Sequence, residues 1–268
     1  MKKVLICICL VLMGMVLLTG CGGAADQGTK SSTADDLQVI KDRGVVRIGV
    51  KVDVPKFGYK NPETGKVEGF EIDIAKALAK KIIGDENKVE MQGVTGKTRG
   101  ALLDNGDIDY VVATATVTDE RKKSYNFSDT YYTDGIGFLV KKDTGIKTFK
   151  DLDGKKIGVT QGTTTRKDLQ QEAEKQGIKL SFLEFSAFPE VLSALMAGRV
   201  DCFSVDGAIL AGFVDDSTVL LDERYSPQNY GVMSKKSNTA LAKLISETIS
   251  EMKSSGEIDK LQNKWGLK

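Results

Sequence analysis

The chain has 268 residues, with 38 Lys and Arg against 37 Asp and Glu, and no histidine. Without imidazole there is no Ser-His triad, no histidine general base and no His-ligated metal. A charge balance this close to neutral gives neither a nucleic-acid footprint nor a basic membrane patch.

In chain order, Lys2 and Lys3 precede an apolar run from Val4 to Leu18, followed by Leu18-Thr19-Gly20-Cys21. Residues 1–20 therefore read as a secretory signal peptide, too short and wrongly flanked for a comfortable membrane span. "LTGC" resembles the lipobox of bacterial lipoproteins, which implies cleavage before Cys21 and lipid on its thiol. An uncleaved N-terminal anchor is the alternative; either way the body lies outside the cytoplasm, tethered to the bacterial cell membrane. Residues 21–36 are small and polar and read as a lipidated flexible linker. Loss of Lys2 and Lys3 leaves 36 basic against 37 acidic residues. Of the cysteines, only Cys202 belongs to the folded body, so no internal disulfide is available.

"VVRIGV" (Val45–Val50) predicts a strand. "IDIAKALAKKIIG" (Ile72–Gly84) sets Ile74, Leu78 and Ile82 on one helical face, with Gly84 placed to end the helix. "KVEMQ" predicts a second strand, "KTRGALLDNG" a short helix with a glycine stop, and "IDYVVATA" a third, almost wholly apolar strand. Such strands alternating with helices predict an α/β fold with mostly parallel pairing. A later stretch echoes an earlier one. "LLDNGDIDYVV" (Leu102–Val112) and "ALMAGRVDCFS" (Ala194–Ser204) both run helix, glycine, then a strand entered through an aspartate, Asp109 or Asp201. That repetition argues for two analogous lobes. Cys202, in the second copy, reads as a small buried strand residue.

"IGFLVKKDT" (Ile136–Thr144) leads out of the first lobe, and "YGVMSKKSN" (Tyr230–Asn238) looks like the return crossing. The predicted lobes are residues 37–141 plus 230–268, and residues 142–229. Two lobes on two extended strands make a hinge with a ligand cleft between them.

Ligands of parallel α/β sheets lie at the carboxyl ends of the strands. There the chain places Thr114, Thr116 and, five residues on, Arg121 in "ATVTDER". Hydroxyls, free backbone N–H groups and a planar guanidinium suit a carboxylate, although Arg121 has Asp119, Glu120 and Asp129 nearby as surface partners. Lys51 and Arg99 fall at the same sheet edge and suggest a second anionic subsite, unless they are ordinary exposed charges. In "IGVTQGTTTRKDLQQ", Gly162 makes a turn and Thr163 or Thr164 caps a helix whose N-terminus faces an anion. Asp206, ending "VDCFSVD", is placed either to take an ammonium group or to cap the helix that follows.

The motifs "GVKVDVPKFGY", "GFEIDIAKALAKK", "TDERKKSYNFSDTYY", "LDGKKIGV", "GRVDCFSVD", "PQNYGV" and "KWG", in this order, resemble the polar amino-acid-binding proteins of ABC importers, solute-binding protein family 3. The resemblance covers nearly the whole mature chain. It implies an α/β, two-lobed periplasmic-binding-protein-like fold with two hinge strands. It also implies that Arg121 grips an α-carboxylate with Thr116, and that Asp206 takes the α-amino group. "GVK" and "KTRG" supply Lys51 and Arg99, a pattern that looks like the aspartate/glutamate binders. A neutral amide would leave that cationic pair desolvated and unpaired. "TQGTTT" departs from the family's commoner "SGTT", which leaves open whether Thr163 or Thr164 touches ligand. The expectation is therefore a monomeric lipoprotein without cofactor or catalytic residue. It would capture glutamate or aspartate by hinge closure and deliver it to a membrane permease. The alternatives are another polar amino acid (glutamine, asparagine or cysteine), a sensory input domain, or an enzyme on the same scaffold. A cyclohexadienyl dehydratase or lytic transglycosylase would need a carboxylic acid of raised pKa, for which Glu71, Glu184 and Asp206 are the candidates.

Overall fold

The computed structural model describes residues 36–267. The signal segment, Cys21 and nearly all of the polar linker lie outside the described residues. Helix α1 (Asp36–Arg43) leads into strand β1 (Val46–Val50), and a small antiparallel ribbon follows, β2 (Asp53–Val54), β3 (Gly58–Lys60) and β4 (Val67–Glu68). Next come α2 (Phe70–Ile83), β5 (Val89–Gly93), α3 (Arg99–Asn105), β6 (Tyr110–Val112), α4 (Asp119–Ser124) and β7 (Tyr125–Phe127).

Helix α2 shows why these residues fold as they do. Phe70, Ile74, Leu78 and Ile82 repeat every fourth position and are all buried, as are Ala75 and Ala79 beside them. Each such aliphatic side chain contributes about 1.5–3 kcal/mol on burial. Gly84 ends the helix at φ 81°, a left-handed conformation, and its N–H donates to the Lys80 carbonyl. Tyr110 on β6 ties this helix to the sheet by donating its hydroxyl proton to the Ala75 carbonyl at 2.9 Å. One residue breaks the apolar pattern: Glu71 is fully buried.

The chain then crosses. Strand β8 (Tyr132–Lys141) opens the second half, followed by β9 (Lys156–Thr160), α5 (Thr165–Gln176), β10 (Ser181–Phe185), α6 (Phe188–Met196), β11 (Cys202–Asp206), α7 (Gly207–Leu210), β12 (Thr218–Leu220) and β13 (Tyr225–Tyr230). It returns through β14 (Met233–Lys235) and ends in α8 (Thr239–Ser254) and α9 (Glu257–Lys264). In α8, Leu241, Ile245, Ile249 and Met252 form the buried stripe.

Besides the β2-β3-β4 ribbon, two larger sheets result among the described residues, with strand orders β5-β1-β6-β14-β7 and β10-β9-β11-β8-β12, β13 also pairing with β8. In each, one side is a parallel unit that begins at an edge strand: β5, β1 and β6 in the first, β10, β9 and β11 in the second. The remaining pairings are antiparallel, so the sheets are mixed rather than mostly parallel as the sequence suggests. The strands that cross between halves must reverse direction to return, and they bring the antiparallel pairs with them.

The first crossing also falls earlier than its sequence suggests. β8 pairs with β11, β12 and β13, so residues 132–141 belong to the second sheet rather than to the first lobe. An apolar strand reads the same whichever sheet it joins; its partners decide. The crossing segments run side by side, with Tyr132 opposite Tyr230, the Tyr131 N–H donating to the Tyr230 carbonyl at 3.0 Å and the Ser128 N–H to the Val232 carbonyl at 2.9 Å. The strand expected through Ala115 stops at Val112. Thr114 turns to φ 44° and gives its N–H to Glu71 Oε1 at 2.6 Å.

Candidate functional site

The carboxyl ends of both parallel units face one cavity. From the first half, Lys51 follows β1, Arg99 opens α3, Thr114 and Thr116 follow β6, and Arg121 lies on α4. From the second, Thr163 and Thr164 precede α5, Phe188 opens α6 and Asp206 ends β11. All eight residues singled out in the sequence as ligand-facing thus line a single cavity.

Arg121 is not a surface residue paired with its neighbours. Asp119 lies 3.8 Å from Lys122 and Glu120 lies 3.6 Å from Lys167. The Arg121 guanidinium instead donates through Nη1 to the Thr116 carbonyl at 2.7 Å and through Nη2 to the Gly162 carbonyl at 2.8 Å. The second bond spans the cleft. Thr118 caps α4, its Oγ1 accepting from the Arg121 N–H at 3.1 Å, which fixes where the arginine starts. Burial pulls the Arg121 pKa down, opposed by the charges of Asp206, Asp168 and Glu120.

Backbone meets backbone beside that bond. Gly162 has φ 75°, and a Cβ there would lie 2.4 Å from the Gly96 carbonyl carbon of the other half. A Cβ on Gly96 would lie 2.8 Å from the Gln161 carbonyl oxygen. Only hydrogen at both positions permits the approach.

Lys51 is not the unpaired cation that the acidic-ligand reading requires, whereas the hydrogen bonds of Arg99 go to backbone carbonyls. Lys51 is 4 % exposed, and its Nζ lies 2.8 Å from Asp53 Oδ1 and 4.6 Å from the centre of the Phe188 ring. Burial lowers its pKa, while the Asp53 charge acts the other way. Arg99 donates from Nη1 to the Ala113 carbonyl at 2.9 Å. Burial and then the charge of Arg121 bring its pKa down to about 9, with Tyr131 and Glu71 opposing. Glu71 Oε1 accepts from the Thr114 N–H and from the Tyr131 hydroxyl at 2.5 Å, and burial raises this carboxyl to about 7. Its Oε2 has no hydrogen-bond partner among the described residues.

The expected helix caps are not made by the expected side chains. Thr164 holds the N-cap position of α5, yet its hydroxyl proton goes to Gln228 Oε1 at 2.8 Å. Thr163 Oγ1 donates to the Thr160 carbonyl at 2.8 Å. Asp206 holds the N-cap position of α7 without capping it; Asp134 of β8 accepts the Ala208 N–H at 2.7 Å instead. That releases the Asp206 carboxylate, which accepts a short hydrogen bond from the Tyr230 hydroxyl. Burial raises Asp206 to about 7, opposed by the Tyr230 bond.

Four contributors were not identified from the sequence: Asp53, Phe188, Gln228 and Tyr230. Asp53 had a signal, since two residues from Lys51 in extended chain is the same-face spacing. Gln228 and Tyr230 stand in "PQNYGV", but nothing local marks them as reaching the cleft. Of the three acids weighed for an enzyme, Glu184 pairs with Arg166 at 2.7 Å and does not line the cavity. Among the described residues no group of three or more acidic or thiol side chains is arranged to hold a metal ion.

A two-lobed α/β chain with a charged cavity between its halves has the form of a solute-binding protein. Residues 46–268 match the bacterial extracellular solute-binding proteins, family 3, and the chain belongs to that family. It is 40 % identical over 270 residues to the ABC transporter glutamine-binding protein GlnH of Bacillus subtilis (strain 168), covering 99 % of this chain and 97 % of the relative. It is 42 % identical over 250 residues to the glutamine-binding protein of Geobacillus stearothermophilus, covering 89 % and 94 %. Among solved structures, that of the cysteine-binding protein from Campylobacter jejuni superposes with a TM-score of 0.78 at 30 % identity, covering 86 % of this chain and 92 % of the other.

Proposed function

We propose that the chain is the extracytoplasmic capture subunit of an amino-acid ABC importer and that its ligand is L-glutamine. The observation that carries the choice of ligand is charge balance. Three cations, Lys51, Arg99 and Arg121, stand with three carboxyl groups, Asp53, Glu71 and Asp206, around or directly behind the cavity. With all six groups ionised, the state in which Asp206 can hold an ammonium group, the set is neutral and suits a zwitterion with an uncharged side chain. Glutamate or aspartate brings an additional negative charge that Lys51, engaged by Asp53, does not need. The two glutamine-binding relatives support the same choice.

In this reading Arg121 grips the α-carboxylate, Asp206 takes the α-ammonium group, and Lys51 and Arg99 donate to the side-chain amide oxygen. The ligand touches both halves at once only when the cleft is shut, so its binding energy drives closure. Cys21 carries the lipid that holds the protein at the membrane, a role supported by the "LTGC" sequence; Cys21→Ala should then leave the chain soluble in cell fractionation.

Calorimetric titration of the chain, stripped of carried-over ligand, with Gln, Glu, Asp, Asn and Cys tests the assignment. Glutamine should bind with about 8–10 kcal/mol, a micromolar to sub-micromolar dissociation constant. Tighter binding of glutamate or aspartate than of glutamine would restore the acidic-ligand reading. Binding of none would return attention to catalysis or sensing.

A further inference from the structure

Gln228 is 1 % exposed and lies on β13, the strand that carries the chain back toward the first half. A register shift between Tyr225 and Pro227, with Ser226 at φ 48°, bends β13 just before it. Such bulges re-aim the side chains that follow. All four hydrogen-bonding positions of the Gln228 amide are used. Nε2 donates to Asp168 Oδ2 at 3.1 Å and to the Ser226 carbonyl at 2.9 Å. Both partners only accept, so the nitrogen face of the amide is fixed. Oε1 then receives the hydroxyl protons of Thr116 and Thr164, each at 2.8 Å.

A threonine hydroxyl has one proton. With that proton spent on Gln228, Thr116 and Thr164 can only accept from whatever occupies the cavity they line. Acceptors match an ammonium group and repel a carboxylate. The sequence reading that gives the Thr116 hydroxyl to a carboxylate is therefore at odds with the hydrogen-bond polarity. The carboxylate is left to Arg121 and to backbone N–H groups.

We propose that Gln228 is a positioning residue for ligand capture. By taking the protons of one threonine from each half, it turns both into acceptors for the α-ammonium group and pins both to the crossing strand. The inference rests on the amino-acid reading above, but not on which amino acid binds.

Gln228→Met keeps the length of the side chain and removes all four hydrogen bonds. The measurement is the ratio of affinities for L-glutamine and for its desamino analogue glutaramic acid, in the full chain and in the variant. In the native chain the ammonium group should favour glutamine strongly, and in Gln228→Met that preference should shrink by roughly tenfold to a hundredfold. Thr164→Val, at a half-buried position, should give part of the same loss and add little on top of Gln228→Met. An equal loss for both ligands, with the preference unchanged, would mean that Gln228 only supports the fold and would overturn the proposal. Should Gln228→Met fail to fold, an unchanged preference in Thr164→Val is enough to overturn it. If wild type prefers glutamate, the glutamine assignment fails separately, and the same cycle on glutamate and glutaric acid decides the role of Gln228.

Discussion

Asp53→Asn probes the charge balance directly, because it removes one carboxylate while keeping its shape. In the native chain Lys51 Nζ lies 2.8 Å from Asp53 Oδ1, with side chains 5 % and 18 % exposed. Unit charges about 4 Å apart attract by about 4 kcal/mol at an effective dielectric constant of about 20. Water reaches part of Asp53, and Glu71 still acts on Lys51 in the variant. About half of the attraction, roughly 2 kcal/mol, is then free to act on an anion in the cavity. That corresponds to about a 30-fold change in relative affinity. Glutamate should gain it and glutamine should not, so the ratio of their dissociation constants should move by that factor toward glutamate. Calorimetry with both ligands at fixed pH reads the ratio, and circular dichroism checks the fold. The double variant Lys51→Met/Asp53→Asn should abolish the shift. A folded Asp53→Asn variant whose ratio stays within about threefold of wild type refutes the argument that Asp53 keeps Lys51 electrically occupied.

Arg121→Lys keeps a charge but cannot reach both Thr116 and Gly162 while facing a carboxylate, and should weaken binding by about 2–4 kcal/mol with little change in Tm. Gly96→Ala places a methyl against the Gln161 and Gly162 backbone; closure should be impaired by about 1–3 kcal/mol, mainly as faster ligand dissociation in stopped-flow traces. Glu71 and Asp206 titrate near 7, well above the usual carboxylate range, so two opposite pH effects follow. Ligand affinity should fall as pH drops below about 7, because the ammonium group needs Asp206 ionised, and binding near that pH should release a proton, measurable by calorimetry in buffers of different ionisation enthalpy. The folded state of the free chain holds these protons more tightly than the unfolded chain does. Its stability should therefore fall as pH rises from about 4 to about 7, by up to about 1.4 kcal/mol per pH unit per group. Cys202 is fully buried and its thiol is pushed well above its ordinary pKa; it should resist thiol reagents until the chain is unfolded.

Several features were legible because they depend on local spacing. The four-residue repeat of Phe70, Ile74, Leu78 and Ile82 makes α2 whatever surrounds it, and Gly84 ends it for a reason internal to the backbone. The eight cavity-lining residues were legible through topology, since parallel strands in one sheet bring their carboxyl ends to the same edge. The assignment of residues 132–141 to a sheet was not, because an apolar strand carries no mark of its partner. Nor was the fate of Asp206. It is freed from capping by Asp134, 72 residues earlier on β8, which serves the same helix N-terminus.

The sequence by itself determined the elements, the two-lobed α/β architecture and the residue types gathered at the cleft, because periodicity and strand-end placement are properties of short stretches. The tertiary structure decided the electrical state of that cleft. Whether Asp206 caps its helix or stands free, whether a threonine gives or takes a proton, and whether Arg121 reaches across to Gly162 all depend on groups from distant elements meeting within about 3 Å. Burial then sets how strongly each meeting counts, and burial exists only once the two halves are packed.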